Sequence, residues 1–272
     1  MPIRQISGSD AEYCLIVFDE DGKERREPDG SLMSETIQQR ITEANPGITD
    51  VFFASHGWMG DVPAALRQYD AWIAAMRALP QDSEAARERR PGFNPLIVGL
   101  HWPSLPWGDE DIPRAAPGLL SGTDIESEVN AYAARIADTP RARAAIRIIL
   151  EGAELQVDAQ LSPALEAAYQ TLFEESGLGA GDSTRPGADQ EGFDPQVIIS
   201  EEQQVQAPVA PGVLGFGDKA REILLAPLRQ LSFWKMKDRA RVFGESGGHD
   251  LLRKLQQAAP ATRFHLMGHS FG

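Results

Sequence analysis

A chain of 272 residues with 42% apolar side chains can bury one large core or two modest ones, which excludes disorder throughout. Its formal charge of −14 repels phosphate backbones and anionic membranes at long range, and no run of Lys and Arg offers a local exception, so nucleic acid is not an expected partner. The start, MPIRQISGSDAEYCLIVF, lacks a basic segment followed by a long apolar one, and no window reaches the ~18 apolar residues of a membrane span. The reading is a soluble, cytoplasmic protein. Its single cysteine, Cys14, lies in the apolar run YCLIVF, where a thiol is core filling and no disulfide framework exists.

In chain order, EYCLIVF reads as a buried strand, and Asp21-Gly22 as a hairpin turn into a second, more polar strand. SETIQQRITEA follows with Ile37, Ile41 and Ala44 at helical spacing and Ser34 placed to cap. Asn45-Pro46-Gly47 breaks the chain before TDVFFAS, a short apolar strand of the parallel, doubly covered kind that runs into HGWMGD. PAALRQYDAWIAAMRAL places Leu66, Tyr69, Ile73 and Met76 on one helical face, and after a charged loop LIVGLHW resumes as a strand. Strand, helix, strand is a parallel α/β rhythm.

That rhythm breaks at Trp102-Pro103-Ser104. SEVNAYAARIA, RARAAIRIILEGAELQ and PALEAAYQTLFEE are successive helical segments of an insertion spanning 104–234. Within it, 176–212 combines Gly, Pro, Asp, Glu and Gln with few large apolar groups, so most of it is expected to be mobile, with VIIS docking at most transiently. A last helical block runs from about Lys235 to Ala258. ATRFHLM then returns as a buried strand leading into Gly268-His269-Ser270-Phe271-Gly272.

G-x-S-x-G is a weak motif alone, but here an apolar strand feeds it directly, as in a nucleophile elbow, the strained strand-to-helix turn that lifts a serine out of a sheet. Gly268 and Gly272 are steric requirements of such a turn, because they let its two arms approach while Ser270 takes the strained conformation. A rival match, Gly244-Glu245-Ser246-Gly247-Gly248, follows DRARVF, whose three charges do not suit a central parallel strand. Met236, Ala240, Phe243, Gly247, Leu251 and Leu255 form one helical stripe instead, although the three glycines disfavour helix by roughly 1 kcal/mol each. Ser270 is the preferred nucleophile.

Glycine after the VFFA strand permits a tight turn that can aim a backbone N–H outward, as an oxyanion donor requires. FFASHGWMGD, a helix, IVGLHWPS and then HLMGHSFG together resemble the third strand, oxyanion loop, fourth strand, fifth strand and elbow of α/β-hydrolase lipases and esterases. The resemblance implies a mostly parallel sheet with flanking helices, truncated after the nucleophile strand and interrupted by the long helical insertion. It implies Ser270 as nucleophile, the backbone N–H groups of Trp58 and Phe271 as oxyanion donors, and His56, Gly57, Gly268 and Gly272 in support. It further implies a small ester or lipid-like substrate and no cofactor or metal.

The competing reading of His56 is a core histidine in preference to a metal ligand, His101 could line a pocket or finish the core, and Asp61 caps the next helix. Trp72, Trp102 and Trp107 read as packing, and His269, inside the turn, is not an expected base. The family places its acid and histidine after the nucleophile, whereas only Phe271 and Gly272 follow Ser270 here. The expectation is therefore a single incomplete domain over 1–272, the N-terminal part of a longer serine hydrolase, inactive alone. Its fifth strand would expose an apolar edge that invites self-association. The alternatives are a non-catalytic interaction module on this scaffold and a chain complemented by a second polypeptide.

Overall fold

The apolar runs of the first hundred residues and the run before the final glycines are strands of one sheet. The computed structural model describes residues 3–6, 11–57, 62–104, 122–155, 160–178, 192–205, 216–270 and 272. Strands β1 (Ile3–Gln5), β2 (Glu12–Val17), β3 (Asp50–Ser55), β4 (Pro95–His101) and β5 (Arg263–Gly268) line up in the order β1-β2-β4-β3-β5. Only β1 runs antiparallel to its neighbour, so the fold is α/β with a mostly parallel sheet.

Alternation along β2 explains why the sheet is covered on both faces. Tyr13 and Leu15 pack with Ala65, Tyr69 and Ile73 of helix α2 (Val62–Arg77), while Cys14 and Ile16, pointing the other way, are also fully buried. Gly99 in β4 lets α2 come close, since a Cβ there would lie 2.9 Å from the Tyr69 ring. Helix α1 (Met33–Glu43) packs on β2 and on helix α10 (His249–Ala258).

Several local readings change. EYCLIVF pairs with β1 before it, and the expected second hairpin strand is reduced to one bridge between Phe18 and Glu24. Ser34 is not the cap of α1: Leu32 occupies that position, and the Ser34 N–H donates to the Glu24 carboxylate at 2.8 Å. The charged loop after α2 is helix α3 (Pro80–Arg89), which buries nothing and is favoured by Pro80 in its first turn and by its helix-forming residues. Met76 is exposed, because α2 turns Ala65 with Tyr69 and Ile73 to the core. RFHLM is an edge strand among the described residues: it pairs with β3 alone, and Leu266 and Met267 are 66% and 38% exposed.

Contacts divide the chain into two units, Met1–Pro106 with Lys237–Gly272, and Trp107–Met236. The second unit contains helices α4 (Gly122–Arg135), α5 (Pro140–Leu155), α6 (Pro163–Ser176), α7 (Pro195–Val205), α8 (Phe216–Leu224) and the first part of α9 (Ala226–Phe243). Helix α5 packs against α4, α6 and α8 around a core that includes Tyr132, Ile146, Tyr169 and Leu228. Helix α7 falls in the stretch expected to be mostly mobile. Asp194 caps it by accepting from Gln196 N–H at 2.9 Å, Pro195 opens it, and Ile199 is fully buried. The signals were present, but the Glu and Gln of its exposed face masked them. Residues 179–191 and 206–212 of that stretch lie outside the described residues.

The last helical block begins earlier than Lys235, at Ala226, and continues through a π-helical turn, Gly244–Gly248, into α10. The glycines serve a close approach: a Cβ on Gly247 would lie 2.0 Å from the Gly22 carbonyl oxygen and 2.7 Å from the Phe18 ring. A Cβ on Gly244 would meet nothing within 4 Å beyond its own helix and chain neighbours. Gly247→Ala is therefore expected to destabilise by about 1–3 kcal/mol through overpacking. Gly244→Ala should stabilise by about 0.5–1 kcal/mol, since alanine costs less backbone entropy. Denaturant melts of the two variants distinguish these signs.

At the start of β3, Asp50 is fully buried and receives Arg90 Nη1 and Nη2 at 2.8 and 2.6 Å, Thr49 Oγ1 at 2.7 Å and His265 Nε2 at 2.8 Å. Burial alone would raise its carboxyl, but the bonds from Arg90, His265 and Thr49 more than offset this and hold it well below the usual range. The folded value lies below the unfolded one, so the stabilisation is complete above about pH 4 and is lost as pH falls through the folded value. Arg90→Ala should move the acid-unfolding midpoint, followed by circular dichroism, to higher pH.

Candidate functional site

The register of the sheet sets the geometry of the site. Ser55 pairs with Leu100 of β4 on one side and with Gly268 of β5 on the other, so three segments leave the sheet level with one another. They are Ser55-His56-Gly57, His101-Trp102 and His269-Ser270.

Beyond β5, His269 N–H donates to the Ser55 carbonyl at 3.1 Å and Gly272 N–H donates to the His269 carbonyl at 2.9 Å, closing a turn with Ser270 at its second position. Ser270 has φ +57°, and every other described residue in this region of φ is glycine. A side chain there crowds the following carbonyl, at a cost of roughly 1–2 kcal/mol. The flanking glycines are steric necessities. A Cβ on Gly268 would lie 2.1 Å from the Gly272 oxygen, and one on Gly272 would lie 2.5 Å from the oxygens of both Ser55 and His56. The turn is thus folded down on the end of β3, with Ser270 itself exposed.

Gly57 meets this turn directly. A Cβ there would lie 2.8 Å from the His269 carbonyl oxygen and 3.0 Å from the Ser270 Cβ, so only glycine lets the two turns touch. Gly57, His56, Gly268, Ser270 and Gly272 therefore converge. Trp58 and Phe271, the expected oxyanion donors, lie outside the described residues, as do Asp61 and Trp107.

His56 lies behind Gly57, 1% exposed. Its Nδ1 is 2.6 Å from the Gly57 carbonyl and 3.3 Å from Ser104 Oγ, and its Nε2 is 2.9 Å from Nδ1 of the buried His101. Trp102 stacks on the His56 ring and donates its indole N–H to the His56 carbonyl at 3.1 Å. The Tyr69 hydroxyl accepts from His56 N–H at 2.8 Å and donates to the Leu100 carbonyl at 2.5 Å. Burial pushes the His56 imidazole below, and the Tyr69 hydroxyl above, their ordinary values. His56 and His101 are both buried and in contact with each other, and no group of three or more His, Cys, Asp or Glu that could hold a metal occurs among the described residues.

Tyr69 and Ser104 were not legible as site residues. Tyr69 shows in sequence only as one more apolar position of a helix, and nothing marks its hydroxyl as the bridge between two strand ends. Ser104 sits in Trp-Pro-Ser, with no spacing that announces a partner 48 residues upstream.

The rival serine is excluded as an elbow by its backbone. Ser246 lies within the π-helical turn, and its hydroxyl donates to the Val242 carbonyl at 2.5 Å. The histidines are engaged elsewhere too. His265 bonds Asp50 at the opposite end of β5, His249 lies 3.6 Å from Asp250, and the His269 ring packs edge-on against Trp72.

Two apolar clefts flank β5. One, of about 290 Å³, is lined by Phe53, Leu100, Phe243, Leu251, Leu266 and Gly272 among others; the second, of about 410 Å³, lies against Tyr69, Trp72, Met267 and His269. No described helix is long and apolar enough to cross a membrane. Compared with known protein families, curated proteins and solved structures, the chain matches none.

The strain at Ser270 has a measurable consequence. Ser270→Gly removes the left-handed cost of roughly 1–2 kcal/mol but adds about 0.5–1 kcal/mol of backbone entropy, so a gain of up to about 1.5 kcal/mol is expected. Ser270→Val should lose stability, since a β-branched side chain is least compatible with this conformation. Chemical denaturation reads both.

Proposed function

We propose that the chain carries the nucleophile and the oxyanion loop of a serine hydrolase of α/β-hydrolase type, acting on small ester or lipid-like acyl substrates. One observation carries this reading: Ser270 has φ +57° in a turn following a parallel strand, with Gly57 seated against it. A strained residue persists only where its surroundings over-determine it, and such residues cluster at active sites. The strands that the resemblance numbers third, fourth and fifth are β3, β4 and β5.

In this chemistry Ser270 Oγ forms a bond to the acyl carbon while its proton passes to a base. The carbonyl oxygen gains the negative charge, which outward-facing backbone N–H groups stabilise. Collapse of that intermediate breaks the acyl–oxygen bond and the alcohol leaves with the proton, after which water repeats the sequence on the acyl-enzyme. The five histidines are engaged elsewhere in their present positions, so in this reading the base is supplied from outside these 272 residues.

The same engagement of the histidines favours the second reading, a non-catalytic interaction module built on this scaffold. The two part in a direct test. In protein expressed from the complete reading frame, whatever its length, a fluorophosphonate probe should label Ser270. Labelling should vanish with Ser270→Ala and survive Ser246→Ala; a protein that no probe labels is the module. For the 272-residue chain alone, hydrolysis of a short nitrophenyl ester should lack the roughly 10⁴ to 10⁶-fold that a serine and its base provide together. Turnover by that chain, lost on Ser270→Ala, would overturn the assignment of the base.

A further inference from the structure

The hydrogen-bond partners of His56 determine where its proton sits. A carbonyl oxygen can only accept, so the 2.6 Å contact to Gly57 places the hydrogen on Nδ1. The Trp102 backbone N–H, which can only donate, points at Nε2 from 3.4 Å, so Nε2 carries the lone pair. These two contacts agree on a neutral ring with the hydrogen on Nδ1. His101 then has one role open to it across the 2.9 Å contact, donating its own Nδ1–H to His56 Nε2. The Tyr69 hydroxyl, the other titratable group bonded to His56, holds the backbone rather than the ring.

The ring in turn holds one peptide. A peptide unit is planar and its N–H runs antiparallel to its C=O, so anchoring the Gly57 carbonyl restrains the peptide from which the resemblance expects an oxyanion donor. Gly57 has no side chain to limit its rotation, so an anchored carbonyl is what keeps the unit from turning.

We propose that His101 and His56 form a buried relay of fixed tautomers that holds the Gly57 carbonyl, and so keeps Gly57 seated against the Ser270 turn where the acyl group would be bound. Both are positioning residues, neither touches the substrate, and the inference rests on the reading of Ser270 as nucleophile. The relay works only with His56 neutral, since a second hydrogen on Nε2 would face two donors. Burial of the ring disfavours that hydrogen.

Two measurements test this. Nitrogen-15 NMR of the histidine rings should show His56 with hydrogen on Nδ1 and none on Nε2, unchanged about one pH unit below the ordinary histidine value of ~6.5. Hydrogen on Nε2, or ordinary titration, overturns the relay. The second compares His101→Asn, whose amide nitrogen can donate from near the Nδ1 position, with His101→Leu, which cannot donate. In protein from the complete reading frame, Leu should slow fluorophosphonate labelling of Ser270 by about 100-fold, the order seen for loss of an oxyanion donor. Asn should stay within a few-fold of wild type. Equal rates for the two variants overturn the relay, whereas wild-type protein that is not labelled at all overturns the nucleophile reading and the catalytic role of the relay with it.

Discussion

Ser55 is paired on both sides, with Leu100 and with Gly268, and this double pairing is the constraint from which the site follows. Had either neighbouring strand paired one residue out of register, its side chains would have moved to the opposite face and the turns beyond it would not meet. Because the three strands end level, a loop made almost wholly of glycine and histidine backbone can lie against a turn made of glycine and serine. The contact between Gly57 and the Ser270 Cβ is a consequence of register first and of composition second.

Strands β2 to β5 were legible because they are short apolar runs closed by breakers, whereas β1, three residues with Arg4 and Gln5 among them, carries no such signal. The close turn at Gly57, Gly268, Ser270 and Gly272 was legible as backbone geometry, since glycines spaced around a serine just after an apolar strand point to a tight, strained turn. What escaped is instructive. Helix α3 was hidden because it buries nothing, leaving no periodicity to find, and α7 because one fully buried isoleucine does not outweigh a Glu- and Gln-rich face. Ser34 was a sound cap by propensity, yet Glu24, ten residues earlier, meets its N–H instead. Tyr69 and Ser104 took part in the site through long-range hydrogen bonds, which leave no trace in local sequence.

The two glycine-rich pentapeptides show how much context decides. Gly244–Gly248 and Gly268–Gly272 share a pattern, but in the first the missing side chains let a helix pass close to the turn at Gly22. In the second they let a turn fold onto a strand end. The same absence of Cβ serves packing in one place and strain at a serine in the other, and only the latter leaves a non-glycine residue at positive φ.

The cluster around Asp50 acts on the site from a distance. His265 and Arg90 reach the buried carboxylate, Arg263 N–H donates to Thr49 O, and Thr262 Oγ1 donates to Ile48 O, so the first residues of β5 are bolted to the first residues of β3. Five residues of strand, at about 3.3 Å each, separate this bolt from Ser55, roughly 17 Å away. A strand fixed at one end and inextensible along its length behaves as a gauge. Whatever holds Asp50 sets how far β5 protrudes past β3, and thereby the height at which the Ser270 hydroxyl stands above the sheet.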